Sequence, residues 1–162
     1  MNKLFSLVLL ISFSILIYSC GGSEKSEQQE TIEESTPTAP GMSNDDFNHL
    51  LNNVTNIEYL FIDYPISFSQ NEPNAVRQAV MFIERETAFP EPECEPTAMI
   101  IFLGDGEILA EGNVYFLENC AYVVLEKDNE PVYYHKLSNQ GYQFYNQVLV
   151  NYFNQLQQQQ QQ

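Results

Sequence analysis

The chain has 162 residues, with 6 Lys and Arg against 22 Asp and Glu and a formal net charge of −16. Such a surface repels phosphate backbones and anionic headgroups, which argues against nucleic acid as a partner. The stretch from Ser43 onward has the length of a single domain and enough chain to bury a core.

In chain order, Lys3 precedes an apolar run from Leu4 to Tyr18, closed by Ser19-Cys20-Gly21-Gly22. That is the charged, apolar and small-residue succession of an export signal. A membrane-spanning helix needs about 20 apolar residues, and Ser6, Ser12 and Ser14 interrupt this run before it ends, so a retained helix is not expected. With Ile17 and Ser19 ahead of Cys20, and Tyr18 where a small residue is usual, the segment resembles the lipobox signal of bacterial lipoproteins. The resemblance implies a signal peptide over 1–19 and a mature chain that begins at Cys20, diacylated on sulfur and acylated on its amine. Two or more acyl chains anchor stably where one is marginal, so the membrane becomes a partner through Cys20. Gly21, rather than Asp, after the cysteine resembles the pattern of outer-membrane lipoproteins, on the periplasmic or the cell-surface face. Losing Lys3 with the signal leaves a charge of −17 before modification. With Cys20 taken by lipid, Cys94 and Cys120 remain as an even pair in an oxidising compartment, where a disulfide is the expectation.

Residues 20–42 read as an acidic, disordered tether. From Gly22 to Gly41 the only large apolar residue is Ile32, too little to offset the entropy of ordering. Glu24, Glu27, Glu30, Glu33 and Glu34 repel one another and extend it. An acidic stretch soon after the lipidated cysteine also resembles the signal that sends some lipoproteins to the cell surface.

A single α+β domain is predicted over 43–156. Ser43 with Asp46 makes a capping-box-like start to a helix whose apolar positions are Phe47, Leu50, Leu51 and Val54. Ile57 to Tyr64 predicts a strand, and Pro65 predicts that it lies at an edge or bends there. Ser69 or Asn71 is expected to cap a second helix with Val76, Ala79, Val80 and Ile83 on one face. Pro90, Pro92 and Pro96 then forbid regular structure until Thr97.

Three turns follow, at Gly104-Asp105-Gly106, Glu118-Asn119 and Asp128-Asn129, and predict a four-stranded antiparallel meander from Thr97 to Leu137. Pairing outward from the turns places Met99, Ile101, Leu103, Ile108, Ala110, Val114, Phe116, Ala121, Val123, Leu125, Val132 and Tyr134 on one apolar side. The other side collects Ile100, Phe102, Leu109, Glu111, Asn113, Tyr115, Cys120, Tyr122, Val124, Tyr133 and His135. Ser138 is expected to cap a last helix with Tyr142, Tyr145, Val148, Leu149, Tyr152 and Leu156 as its packing stripe. The glutamine tail, 157–162, has no core-forming residue and should fray.

The fold expected is therefore α+β: a four-stranded antiparallel meander plus one additional strand, two N-terminal helices, and a C-terminal helix packed on the sheet. On the mixed side, Glu111, Asn113, Tyr115, Tyr122, Tyr133 and His135 form the candidate binding face. Glu111 and Glu126 pair on that side and offer acid/base carboxylates to His135. Glu91, Glu93 and Glu95 alternate around prolines, where a polyproline-like period of three points them apart, so no metal site is expected. Cys94 is two strand spacings from Cys120 if the sheet continues backwards, about 10 Å and too far for a disulfide. The prolines instead let the loop leave the ladder and fold over the mixed side, where the bond would pin it. No catalytic motif and no cofactor is called for. The function expected is a lipid-anchored binding or assembly module of the outer envelope that engages a protein or a glycan. The alternative is a small enzyme using His135 with Glu111 or Glu126.

Overall fold

The computed structural model describes residues 40–117 and 119–160. The signal, Cys20 and nearly all of the expected tether lie outside them. Three helices, α1 (Asn44–Asn53), α2 (Pro73–Val80) and α3 (Asn139–Gln159), accompany seven strands. These are β1 (Asn56–Phe61), β2 (Ser67–Gln70), β3 (Ile83–Thr87), β4 (Ala98–Gly104), β5 (Glu107–Tyr115), β6 (Tyr122–Lys127) and β7 (Glu130–Leu137). They form one antiparallel sheet in the order β2-β1-β4-β5-β6-β7-β3.

Local chemistry explains most boundaries. The Ser43 hydroxyl accepts from the Asp46 N–H at the start of α1, and Ser138 accepts from the Gly141 N–H at the start of α3. At α2 the cap is Glu72, whose carboxylate accepts from the Ala75 N–H, and neither Ser69 nor Asn71 serves. Asp105-Gly106 and Asp128-Asn129 take positive φ at both positions, the backbone that suits a two-residue hairpin to twisted strands.

Three expectations need correction. The sheet has seven strands and not five, because β2 and β3 also belong to it. The first strand stops at Phe61 and not at Tyr64, and of the edge or bend that Pro65 predicts the bend is found, in the turn between β1 and β2, with β2 at the edge. Ile83 does not extend α2, which ends at Val80; it opens β3 and pairs with Leu137.

The fourth correction concerns the faces. Next to each turn the expected pairing holds, as Leu103 with Ile108 and Lys127 with Glu130. A bulge then intervenes on each hairpin, leaving Leu109 and Val132 as extra residues, so that Phe102 pairs with Ala110 and Leu125 with Tyr133. Because side chains alternate with a period of two, a single extra residue moves every later side chain to the opposite face. Ile100 and Phe102 therefore join Val114, Val123 and Leu125 beneath the helices, and Met99 and Ile101 turn outward. Tyr133 and His135 go to the helix side, and Tyr134 goes to the outer side.

On the helix side, Phe47 and Leu50 of α1, Val76, Ala79 and Val80 of α2, and Tyr145 and Leu149 of α3 close over Ile57, Tyr59, Phe61, Ile100 and Phe102 in one cluster. Its centre is aromatic. Tyr145 stacks on Phe116 at 5.1 Å and meets Phe61 at 6.1 Å, arrangements that add to the burial of the rings themselves. The Tyr59 hydroxyl, buried in this layer, donates to Gln70 Oε1 at 2.9 Å and so is not left unsatisfied.

The outer side is covered at one end only. There Ala88, Cys120, Tyr122 and Val124 form a small buried cluster with Cys94, Tyr115 and Tyr134 against it. The disulfide Cys94–Cys120, with Cα atoms 6.1 Å apart, ties the proline-rich loop down over this cluster.

Candidate functional site

The six residues expected to share one face are divided by the sheet. Glu111, Asn113, Tyr115 and Tyr122 stand on the outer side, whereas Tyr133 and His135 stand on the helix side. Tyr115 and Tyr122 are direct cross-strand partners with ring centroids 4.3 Å apart. Burial lifts the Tyr122 phenol to about 12, with Tyr115 beside it adding to the effect. Glu111 lies opposite Glu126, a like-charge pair that costs stability. Asn113 Nδ2 donates to Glu126 Oε1 at 2.6 Å and offsets part of that cost.

His135 is 1% exposed and pairs across the strands with Val123. Its Nε2 accepts from the Met42 N–H at 2.8 Å. Burial pushes its pKa below the ordinary imidazole value, while the backbone carbonyls of Glu84 and Glu86 pull the other way. The thickness of the sheet separates this ring from Glu111 and Glu126, so the structure does not bring together the three groups of the enzymatic alternative.

A cleft of about 410 Å³ opens elsewhere, between α1 and the far ends of β5, β6 and β7. Its floor is Leu109, Ala110 and Leu125, its walls are Met42, Asp46, His49 and Tyr133, and Lys127 and Asp128 stand at its rim. Both bulged hairpins end here. A bulge bends its strand and increases the local twist, which carries this corner of the sheet away from the helix layer and leaves the gap under α1. The Tyr133 hydroxyl donates to Asp46 Oδ2 at 3.4 Å, and the same oxygen accepts from the Ser43 hydroxyl at 2.7 Å. His49, exposed on α1, has Nδ1 3.2 Å from Asn53 Nδ2, and Asn53 also donates to the His49 carbonyl at 2.6 Å.

Chemically the cleft offers an apolar floor with the Asp46 carboxylate, the Tyr133 phenol and the His49 imidazole along one wall, and its lining also includes Glu111, Glu126, Lys127 and Asp128. Among the described residues its lining holds no Ser, Thr or Cys, so it provides neither a hydroxymethyl nor a thiol nucleophile. Its volume falls in the range of small-ligand sites, about 300–1,000 Å³, which are mostly apolar with a few placed polar groups. His49 is not among the candidate binding-face residues named from the sequence. The signal that could have found it is the i, i+3, i+4 run of Asp46, His49 and Leu50, which gives α1 a mixed flank beside its apolar stripe.

A second groove, between β2, α2 and α3, is lined by Gln70, Gln78, Gln140, Gln143 and Gln147 with Phe82 and Phe144. It carries no ionisable side chain. Among the described residues no group of three or more His, Cys, Asp or Glu is placed to hold a metal ion. Nor is any described helix long and apolar enough to cross a membrane. No protein-family model, no curated protein and no solved structure matches the chain.

Proposed function

We propose that the protein is a lipid-anchored, extracytoplasmic binding or assembly module of the outer envelope, with the cleft beneath α1 as its recognition element. The observation that carries the recognition half is the cleft itself: an apolar floor, a hydrogen-bonding wall of Asp46, His49 and Tyr133, and the volume of a small-ligand or side-chain site. The anchoring half rests on the sequence from Leu4 to Cys20. The partner is an envelope protein or a glycan that inserts an apolar group beside a polar one.

Two measurements test the two halves separately. Cys20→Ala should remove acyl labelling and leave the protein as uncleaved precursor or free of the membrane fraction. A processed Cys20→Ala protein that still sediments with membranes would end the lipoprotein reading. A photoreactive residue in place of Ile108, 57% exposed at the cleft, should give a discrete adduct in intact cells, whereas one in place of Gln147 should not. Equal labelling from the two positions, or none from Ile108, would remove the cleft as the recognition element.

A further inference from the structure

Residues 40–42, expected to be the end of the tether, are instead built into the domain. The Tyr134 N–H donates to the Pro40 carbonyl at 3.1 Å, and the Met42 N–H donates to His135 Nε2 at 2.8 Å. This short strap occupies the edge of β7 where the pairing with β3 is irregular. Gly41 sits between the two bonds so closely that a Cβ would stand 2.7 Å from the Thr87 methyl. Met42, at the end of the strap, is a wall of the cleft.

Accepting at Nε2 requires a neutral imidazole with its proton on Nδ1, and that buried Nδ1 makes no hydrogen bond of good geometry among the described residues, although the Glu84 and Glu86 carbonyls lie beside the ring. A second proton would set N–H against N–H at Met42 and place a charge on a ring that is 1% exposed. The surrounding ionisable groups offer it little. On β3, alternation carries the Glu84 and Glu86 carboxylates to the outer face, where Glu86 pairs with Lys136. Arg85 lies over the Phe47 ring at 4.3 Å and donates to Asn44. From α1, the Asp46 carboxylate accepts from the Tyr133 hydroxyl, and the Tyr133 ring lies 6.5 Å from that of His135. β6 opposes His135 with Val123, and the strap brings no ionisable side chain.

We propose that His135 is a proton-operated clasp: neutral, it holds residues 40–42 on β7 and with them the Met42 wall; protonated, it releases the strap and opens the cleft on that side. The consequence for recognition rests on the reading of the cleft given above, and the clasp itself does not. The sign follows from linkage. Between the depressed folded value and the ordinary value of about 6.5, the unfolded chain holds more protons than the folded one. The stability of the clasp is therefore complete above about pH 6.5 and falls as the pH drops toward the folded pKa.

The test uses the mature chain with Cys20→Ser, followed by NMR from about pH 7.5 to about 4.5, a span that brackets ordinary imidazole titration. Two signals are read on one sample: the His135 Cε1 shift and the hydrogen-exchange protection factor of the Met42 amide. The protection factor should fall about tenfold per pH unit as the pH drops below about 6.5, as one linked proton requires, and level off once the Cε1 shift reports protonation of His135, while the Phe102 amide stays protected. His135→Gln, which keeps an acceptor for Met42 without titrating, should hold the Met42 profile flat; if that variant does not fold, the two wild-type signals decide alone. A Met42 profile that ignores His135 protonation, or that collapses only together with Phe102, overturns the clasp. Failed crosslinking at Ile108 would instead sink the cleft and leave the clasp standing.

Discussion

The two faces of this sheet are stabilised by different physics. On the helix side, side chains from three helices and six strands interlock around an aromatic centre, with Ile57, Tyr59, Phe102 and Phe116 each 0% exposed. On the outer side, Leu60 and Met99 are 40% and 36% exposed, while one end is shut by a loop held by a covalent bond. A sheet face buried by packing needs many partners that each fit, whereas a tethered loop needs one bond and a few small contacts. The comparison predicts that damage on the helix side is felt by the whole domain and that damage on the outer side stays local.

The sharpest way to break that contrast is Phe102→Ala, which should cost about 3–5 kcal/mol through lost burial and the cavity left behind. Urea unfolding with an unchanged slope measures it, and a loss below about 1 kcal/mol would mean the helix layer is not close-packed there. Next in size is removal of the disulfide by Cys94→Ser with Cys120→Ser. The bond spans 26 residues, and opening it should cost about 3 kcal/mol in the chain-entropy model. Exchange should rise in β6 near Tyr122 and hardly at all in β1, and equal acceleration of the two strands would show that the loop supports the whole sheet.

How much of this was legible in the sequence divides along similar lines. The caps at Ser43 and Ser138 and the turns at Asp105-Gly106 and Asp128-Asn129 are local chemistry, written in residue types at fixed offsets. The bulge at Leu109 is not, and the one at Val132 only in part. Nothing in Ile108-Leu109-Ala110 favours an extra residue over regular pairing, and packing of Phe102 under the helices decides it; Pro131, which cannot donate to a ladder inside the sheet, is the one local signal for the bulge at Val132. That one omission on each hairpin put His135 beside Tyr115 and Tyr122, and so assembled a site the sheet divides. The cleft escaped for a related reason, since it exists only where bulged hairpin ends meet a helix more than fifty residues away in the chain.

Smaller effects sharpen the outer side further. Tyr115→Ala should cost about 1–2 kcal/mol, from the stacked Tyr122 ring and partial burial, and should shift the Tyr122 phenol downward in a spectroscopic titration. An unmoved phenol would mean the two rings do not interact. Smallest of all, Lys136→Ala removes the ion pair with Glu86 at a site where both side chains are largely exposed. Thermal melts should change by no more than about 0.5 kcal/mol, with little dependence on salt. A larger loss would place the outer side under electrostatic control.

The strands that pattern reading did not see, β2 and β3, are the two edges of the sheet. β2 is four residues of Ser-Phe-Ser-Gln, and β3 carries Glu84, Arg85 and Glu86 in succession. A long apolar edge would invite another chain to add itself as the next strand, because its unpaired backbone groups form a template. Here one edge is too short and too polar to serve, and the other presents alternating charge. The composition that hides these strands from a hydrophobic pattern is thus the composition that discourages edge-to-edge aggregation, and a change such as Arg85→Val would make β3 easier to recognise and that edge more prone to pair with another chain.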